Sequence, residues 1–221
     1  MKKRILLLAS VFVSALAIAQ TKPVFGVRGG LSSATIHGDA VNSLNNLLDF
    51  TNGAISTGSH SGFFAGGYAA IPLSNIISVE PAVYYTQKGY ELKGELNIKG
   101  AEFLGANAKA QLNSQYIDIP VVLKANLGGF QVFGGPQVSY LTKADLHTTG
   151  GVLGFNILNS TTNATAQFNR WDAGLTGGIG YQFANGVNLM ASYDHGLSKA
   201  DANKNMNAYN RSFKVGLGFS F

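Results

Sequence analysis

Few residues in this 221-residue chain have the types and spacing that chemistry needs. Four histidines, His37, His60, His147 and His195, all fall in or beside long, polar connecting segments, and two adjacent pairs, His60 with Ser61 and Asp194 with His195, could in principle supply a nucleophile and its base. That would be the chemistry of a rim-located hydrolase or acyltransferase acting on lipid or peptide. Neighbouring residues on an extended strand point to opposite faces, however, so neither pair can cooperate while its strand continues. The histidines are then solvated loop and rim residues. They are also too dispersed for a metal site, no acidic loop has regular oxygen-ligand spacing, and without cysteine there is no thiolate ligand and no disulfide. GGIG and FGGPQ miss the dinucleotide and phosphate-loop patterns and read as strand glycines. Acceptor tripeptides at Asn159, Asn163 and Asn210 are of a kind that arises by chance in an Asn/Ser/Thr-rich chain. The sequence therefore predicts no catalytic residue, no cofactor and no metal.

The second constellation is one of charge. Arg28, Glu80, Asp118, Asp172, Asp194 and Lys214, joined by Lys88, Lys124 and Arg170, each sit in a run where apolar residues recur at every second position, and each occupies the other parity. FKVGLGFSF, residues 213–221, shows the pattern: Phe213, Val215, Leu217, Phe219 and Phe221 share one side, against Lys214, Gly216, Gly218 and Ser220. A soluble sheet turns one row to a core and a long, charged row to water. A row of glycine, serine and single charges suits a narrow interior instead.

Eight such period-two segments are bounded by turn residues. They are KPVFGVRGGLSSAT, a glycine-rich stretch over about 60–73, IISVEPAVYYTQKG, QYIDIPVVLKANL, GFQVFGGPQVSYL, FNRWDAGLTGGIGYQF, GVNLMASYDHGL and the terminal segment. Connections alternate between brief turns (74–75, 126–129, 184–186) and loops of about ten to 26 residues. The fold predicted is all-β: an eight-stranded antiparallel up-and-down transmembrane β-barrel with short periplasmic turns and long extracellular loops. Its apolar row meets lipid and its small row fills a lumen that eight strands barely leave open. Phe25, Tyr85, Tyr140, Trp171, Tyr181, Phe183, Tyr193 and Phe221 fall near strand ends, where interfacial girdles belong. The alternative is a soluble exported barrel or sandwich.

Charges inside such a lumen must be paired, so Arg28, Glu80, Asp118, Asp172, Asp194 and Lys214 are expected to form an internal ion-pair network. Arg28 and Glu80 sit at similar low heights above the turns, and Asp118, Asp194 and Lys214 nearer the middle. A polar ion path, making the protein a narrow passive pore, is the competing use of the same residues.

Composition agrees. Only 12% of residues are charged, against about a quarter in typical soluble domains, while glycine reaches 28 residues and aromatics 11%. Residues 1–19 read as a cleaved signal peptide, with Lys2, Lys3 and Arg4, an apolar run, and the small-x-small triplet Ala17–Ala19, leaving 20–221 as the barrel domain. Removing those three cations from 16 leaves 13 against 11 acids, so the formal charge of +5 falls to +2. With no basic cluster interleaved with aromatics, nucleic acid is not a partner. In the loops, VNSLNNLLDF could make one or two helical turns, and YELKGELNIKGAEF and GVLGFNIL could extend strands beyond the membrane as hairpins. These projections are the candidate contact surface for a partner.

VEPAVYYTQKG, YIDIPVVLK, FGGPQVSYL, WDAGLTGGIGYQF, ASYDHGLSK and RSFKVGLGFSF together resemble successive strands of the porin-like or PorT-like outer-membrane β-barrel family common in Bacteroidetes, over about 23–221. The resemblance implies an eight-stranded barrel in the bacterial outer membrane, contact with outer-membrane lipid, insertion by the barrel assembly machinery with Phe221 as the assembly signal, and no cofactor. It also implies a possible partner among envelope or secretion-machinery proteins. No catalytic motif is carried over.

Overall fold

The computed structural model describes residues 22–38, 55–96, 106–152, 155–200 and 207–221. The signal-peptide reading and the helical turns over 41–50 lie outside these. The strands are β1 (Val24–His37), β2 (Ile55–Pro72), β3 (Ile77–Leu96), β4 (Ala106–Leu127), β5 (Phe130–Val152), β6 (Phe155–Asn163), β7 (Trp171–Gln182), β8 (Val187–Gly196) and β9 (Tyr209–Ser220). Every pairing is antiparallel. Eight strands close in the order β1-β2-β3-β4-β5-β7-β8-β9, with β9 returning to β1 through Gly26↔Ser220 to His37↔Tyr209.

The short turns are built by residues suited to them. Gly128 and Gly129, with φ of 64° and 96°, make the two-residue connection between β4 and β5. Positive φ at both positions is what the right-handed twist of the flanking strands requires, and the Gly129 amide donates to Asn126 Oδ1 at 3.0 Å. At the next turn Gly186 has φ 89°, and the Val187 amide donates to Asn185 Oδ1.

Val215, Leu217 and Phe219 are 49%, 59% and 47% exposed while Lys214 and Gly216, of the other parity, are buried, so the apolar row covers the outside. From Phe213 to Phe221 is eight steps of about 3.3 Å, which at a tilt near 40° spans about 20 Å, close to the apolar band of an outer-membrane barrel. Aromatic rings mark its ends: Tyr140 lies against Trp171 with centroids 4.9 Å apart on one side, and Tyr181 against Phe183, also at 4.9 Å, on the other.

The lumen differs from the sequence expectation in one respect. It is filled by rings as well as by small residues and charges: Phe64, Tyr68, Tyr84, Met190 and Ala82 form one buried cluster with Phe133 against it. Glycines on strands one or two places away in the ring make room for them. A Cβ on Gly216 would sit 2.5 Å from Phe64 Cζ, and one on Gly178 would sit 2.8 Å from Phe133 Cζ. The small row is the mould into which the large rings fit.

A second apolar cluster, Leu112, Tyr116, Leu141, Ala144 and Ala164, closes the lumen on the long-loop side. Ala164 opens a 3₁₀ turn over Thr165–Gln167 that is pinned by its amide to the Ala144 carbonyl at 2.8 Å.

β2 to β5 run 18–23 residues, well beyond the ring's needs, and continue outward as a projecting sheet. β3 and β4 stay paired to Leu96↔Ala106, so the first half of YELKGELNIKGAEF, up to Leu96, does extend β3, and the rest lies outside the described residues. β6, from the GVLGFNIL region, is a ninth strand outside the ring. It pairs with β5 from Asp145↔Asn163 upward, because β7 meets β5 only as far as Tyr140↔Trp171 and leaves that upper edge unpaired.

Candidate functional site: the charged lumen

Two polar clusters stack along the lumen. The lower one, a few residues above the short turns, is centred on Glu80 of β3. Its Oε1 accepts from Arg28 Nη1 of β1 at 2.9 Å, and its Oε2 pairs with Lys124 Nζ of β4. Arg28 also donates to Tyr84 Oη (2.8 Å) and Asn188 Oδ1 (3.1 Å), and its guanidinium lies 4.2 Å from the centroid of the Tyr68 ring. Asn188 in turn donates to Tyr68 Oη at 2.8 Å, and that hydroxyl lies 2.9 Å from Ser220 Oγ. One carboxylate thus gathers groups from six strands.

The upper cluster is centred on Asp118 of β4, fully buried, whose two oxygens each accept a lysine: Lys88 Nζ at 2.7 Å and Lys214 Nζ at 2.7 Å. Lys214 reaches Asp194 Oδ2 at 2.8 Å, and Asp194 also accepts from Thr176 (2.8 Å) and Ser212 (2.9 Å). Lys88 has Ser139 Oγ at 3.2 Å. Every strong donor finds an acceptor, the condition on which a buried charge is tolerable.

Asp172 of β7 stands apart. Its Oδ2 accepts from Asn210 at 2.7 Å, but its Oδ1 has no partner among the described residues. It borders a cavity of about 10 Å³, roughly the size of one water, shared with Asn210 and Ser212. Arg28 and Lys124 against Glu80 leave the lower cluster at +1, Lys88 and Lys214 against Asp118 and Asp194 make the upper one neutral, and Asp172 adds −1. Four cations face four anions, with the residual charges at opposite ends.

Arg170 corrects the sequence assignment. It is exposed and lies outside the lumen, donating to the Leu141 and Thr142 carbonyls at 3.1 and 3.2 Å. A bulge in β5 at Thr142 and the late start of β7 free those carbonyls, and the residue just before Trp171 is placed to take them. The rings that share the lumen, Phe64, Tyr68 and Phe133 foremost, were not picked out from sequence as site residues. The signal was there in the even parity of Phe64 and Tyr68 on β2, set against Gly30 and Gly26 at matching positions of β1 and Gly216 and Ser220 of β9.

The candidate catalytic pairs are split as strand geometry demands. Asp194 is buried in the lumen and His195 is exposed on the outer wall. His60 turns inward, 3.0 Å from Gln111 Nε2, while Ser61 is exposed.

Between the clusters lies a cavity of about 30 Å³, bordered by Glu80, Tyr84, Phe133 and Lys214, enough for one or two waters. On the short-turn side the barrel opens into a vestibule of about 410 Å³ that reaches Glu80 and Lys124. Among the described residues no group of three or more His, Asp or Glu could hold a metal ion.

A closed eight-stranded wall, apolar outside and ion-paired within, is the construction of a bacterial outer-membrane barrel. The chain belongs to the family described as outer membrane protein beta-barrel domain, whose model matches residues 18–202. Among solved structures it is similar to Neisserial surface protein A (15% identity, covering 91% of this chain and 100% of that one, TM-score 0.40). It is also similar to Ail, the attachment invasion locus protein of Yersinia pestis (13% identity, 91% and 100%, TM-score 0.41), and to OprG from Pseudomonas aeruginosa (14%, 92% and 98%, TM-score 0.36). Comparison with curated proteins gave no match.

Proposed function

We propose that this protein is a non-enzymatic barrel that anchors and displays an extracellular β-sheet, and that the free edge of that sheet takes up an extended segment of an envelope or secretion-machinery protein by strand addition. The observation that carries the reading is β6. Among the described residues it pairs only with β5, and Ile157 and Leu158 on it are 72% and 48% exposed. An unpaired edge offers a ladder of backbone donors and acceptors, with side-chain contacts for specificity. The stacked ion pairs and the apolar cluster above them support a structural lumen over the competing reading of a narrow pore. The strand motifs support a place in the PorT-like branch of the family, with assembly through Phe221 as that branch implies, and Lys2, Lys3, Arg4 and the Ala17–Ala19 triplet support export by a signal peptide cleaved after residue 19.

The chain has no cysteine, so Ser160→Cys on β6 gives a unique thiol for a photo-crosslinker on intact cells. The expected result is a defined protein adduct that disappears when Ile157→Lys and Leu158→Lys are added, with heat-modifiable gel migration unchanged. An adduct indifferent to those charges, or reproducible single-channel steps from the purified protein in planar bilayers, overturns the proposal.

A further inference from the structure

On the outer wall, where β1, β8 and β9 rise past the lipid-facing rows, the surface changes character within two residues. Leu31 and Val215 are paired neighbours in the apolar band, and one outward step higher stand Phe213 and Tyr193, also paired. One step above these, Arg211 lies directly between Thr35 of β1 and His195 of β8. The sequence of rows is apolar, aromatic, then cationic and hydroxylic, the order a membrane interface presents from acyl chain to headgroup.

This level holds a groove of about 470 Å³, bordered by Thr35, His37, Ser59, His195, Arg211 and Phe213. Arg211 is oriented in it. Its Nη1 donates to the Gly196 carbonyl at 2.6 Å and to the Asn210 carbonyl at 3.1 Å, leaving Nε and Nη2 with no partner among the described residues. Among the described residues no carboxylate is paired with it. Among the described residues of β1, β2, β8 and β9 the one acid is Asp194, and it is buried in the lumen with Lys214.

We propose that this groove is a binding site for the phosphate of an anionic lipid in the surrounding leaflet. The free edge of the Arg211 guanidinium meets two phosphate oxygens, Thr35 and the two imidazoles supply further hydrogen bonds, and the acyl chains run down over Phe213, Val215 and Leu31. A planar fork held by backbone carbonyls is pre-organised for such an oxyanion. The acyl chains, which a free phosphate lacks, commit the site to a lipid.

The test is native mass spectrometry of the full chain in non-ionic detergent, titrated with diphosphoryl lipid A, with phosphatidylcholine and inorganic phosphate as separate arms. One lipid A should bind, with affinity falling at least tenfold in Arg211→Gln and at least threefold in the His37→Gln, His195→Gln double variant. Lys143→Gln removes a cation from the exposed upper part of β5, where Lys143 is paired with Asp145, and should change nothing. Since Arg211 also holds two carbonyls, Arg211→Lys, which keeps the charge without the fork, is run beside it and should show an intermediate loss. Each variant is first checked for heat-modifiable migration. Equal loss in Lys143→Gln, no loss in the histidine variant and Arg211→Lys together, equally tight phosphatidylcholine, or displacement by inorganic phosphate overturns the proposal.

Discussion

Asp118→Asn is the sharpest perturbation of the lumen. The carboxylate is fully buried and is the acceptor for both Lys88 and Lys214, each at 2.7 Å. Lys214 keeps Asp194 at 2.8 Å, whereas Lys88 keeps no anion, only the Ser139 hydroxyl at 3.2 Å and the face of the Tyr116 ring 4.7 Å away. The amide leaves the upper cluster with two cations on one anion and turns an N–H₂ donor toward an ammonium. Stranding a buried charge in this way costs about 3–5 kcal/mol. With a urea dependence of about 2 kcal/mol per molar, within the usual range, that moves the unfolding midpoint down by about 2 M.

The single tryptophan, Trp171, sits on the outer wall 57% exposed, so its fluorescence reports loss of the barrel in lipid vesicles. Two comparisons separate charge from packing. Asp172→Asn, at a carboxylate with one unpartnered oxygen, should be neutral or stabilising. Lys88→Met placed on Asp118→Asn removes the stranded cation and should recover part of the loss, giving a coupling energy above about 1 kcal/mol. A midpoint shift below about 0.5 M for Asp118→Asn, or equal shifts for Asp118→Asn and Asp172→Asn, would refute the claim that the Asp118 carboxylate is what makes two buried lysines tolerable.

Three further outcomes follow from the geometry of the wall and the lumen. Leu217→Lys puts a charge on the lipid face near mid-band and should cost about 2–4 kcal/mol in the same fluorescence assay, while purified protein still binds detergent normally. Gly30→Ala should abolish heat-modifiable migration, because its Cβ would lie 2.0 Å from the Val215 carbonyl oxygen, whereas Gly67→Ala, with nothing nearer than 3.6 Å, should migrate like the parent. Glu80→Gln strands both Arg28 and Lys124 beside the vestibule and should lower the urea midpoint as far as Asp118→Asn does, yet yield no steps in planar bilayers, since the upper cluster still closes the lumen.

Parity made much of this fold legible in the sequence. On β9 the alternation of Phe213, Val215 and Leu217 with Lys214 and Gly216 gives inside and outside without reference to any other strand. The same counting turns Arg28, Glu80, Asp118, Asp172, Asp194 and Lys214 inward. It fails where a strand loses step or stops. Arg170 shares the parity of Asp172 but precedes β7, and the bulge at Thr142 reverses the rule on β5, turning Lys143 outward and burying Ala144. It was also silent on β2, where Phe63 and Phe64 are adjacent and either could face lipid. The choice is made by Gly216 on β9, which leaves Phe64 its place in the lumen. β6 was invisible as a separate strand because its reason for existing is the bare upper edge of β5, a tertiary fact.

What parity cannot supply is shear. Sliding β9 by two residues along β1 keeps Val215, Leu217 and Phe219 in lipid and every small residue inside, so the hydrophobic pattern is indifferent to it. The charges are not. Lys214 stands opposite Ser32 and beside Ser192, at the height where Asp118 and Asp194 both reach it; two residues lower it would stand opposite Gly30, and Gly216 would no longer underlie the Phe64 ring. Asp118 and Lys214 are 96 residues apart in sequence and Arg28 and Asn188 are 160 apart, so these contacts form only when the ring has closed in one stagger. A buried ion pair contributes little net stability compared with a well-packed apolar core, and its best-attested use is to select register. On that argument the lumen network is retained because greasy alternation alone leaves the seam between the first and last strands free to close in more than one way.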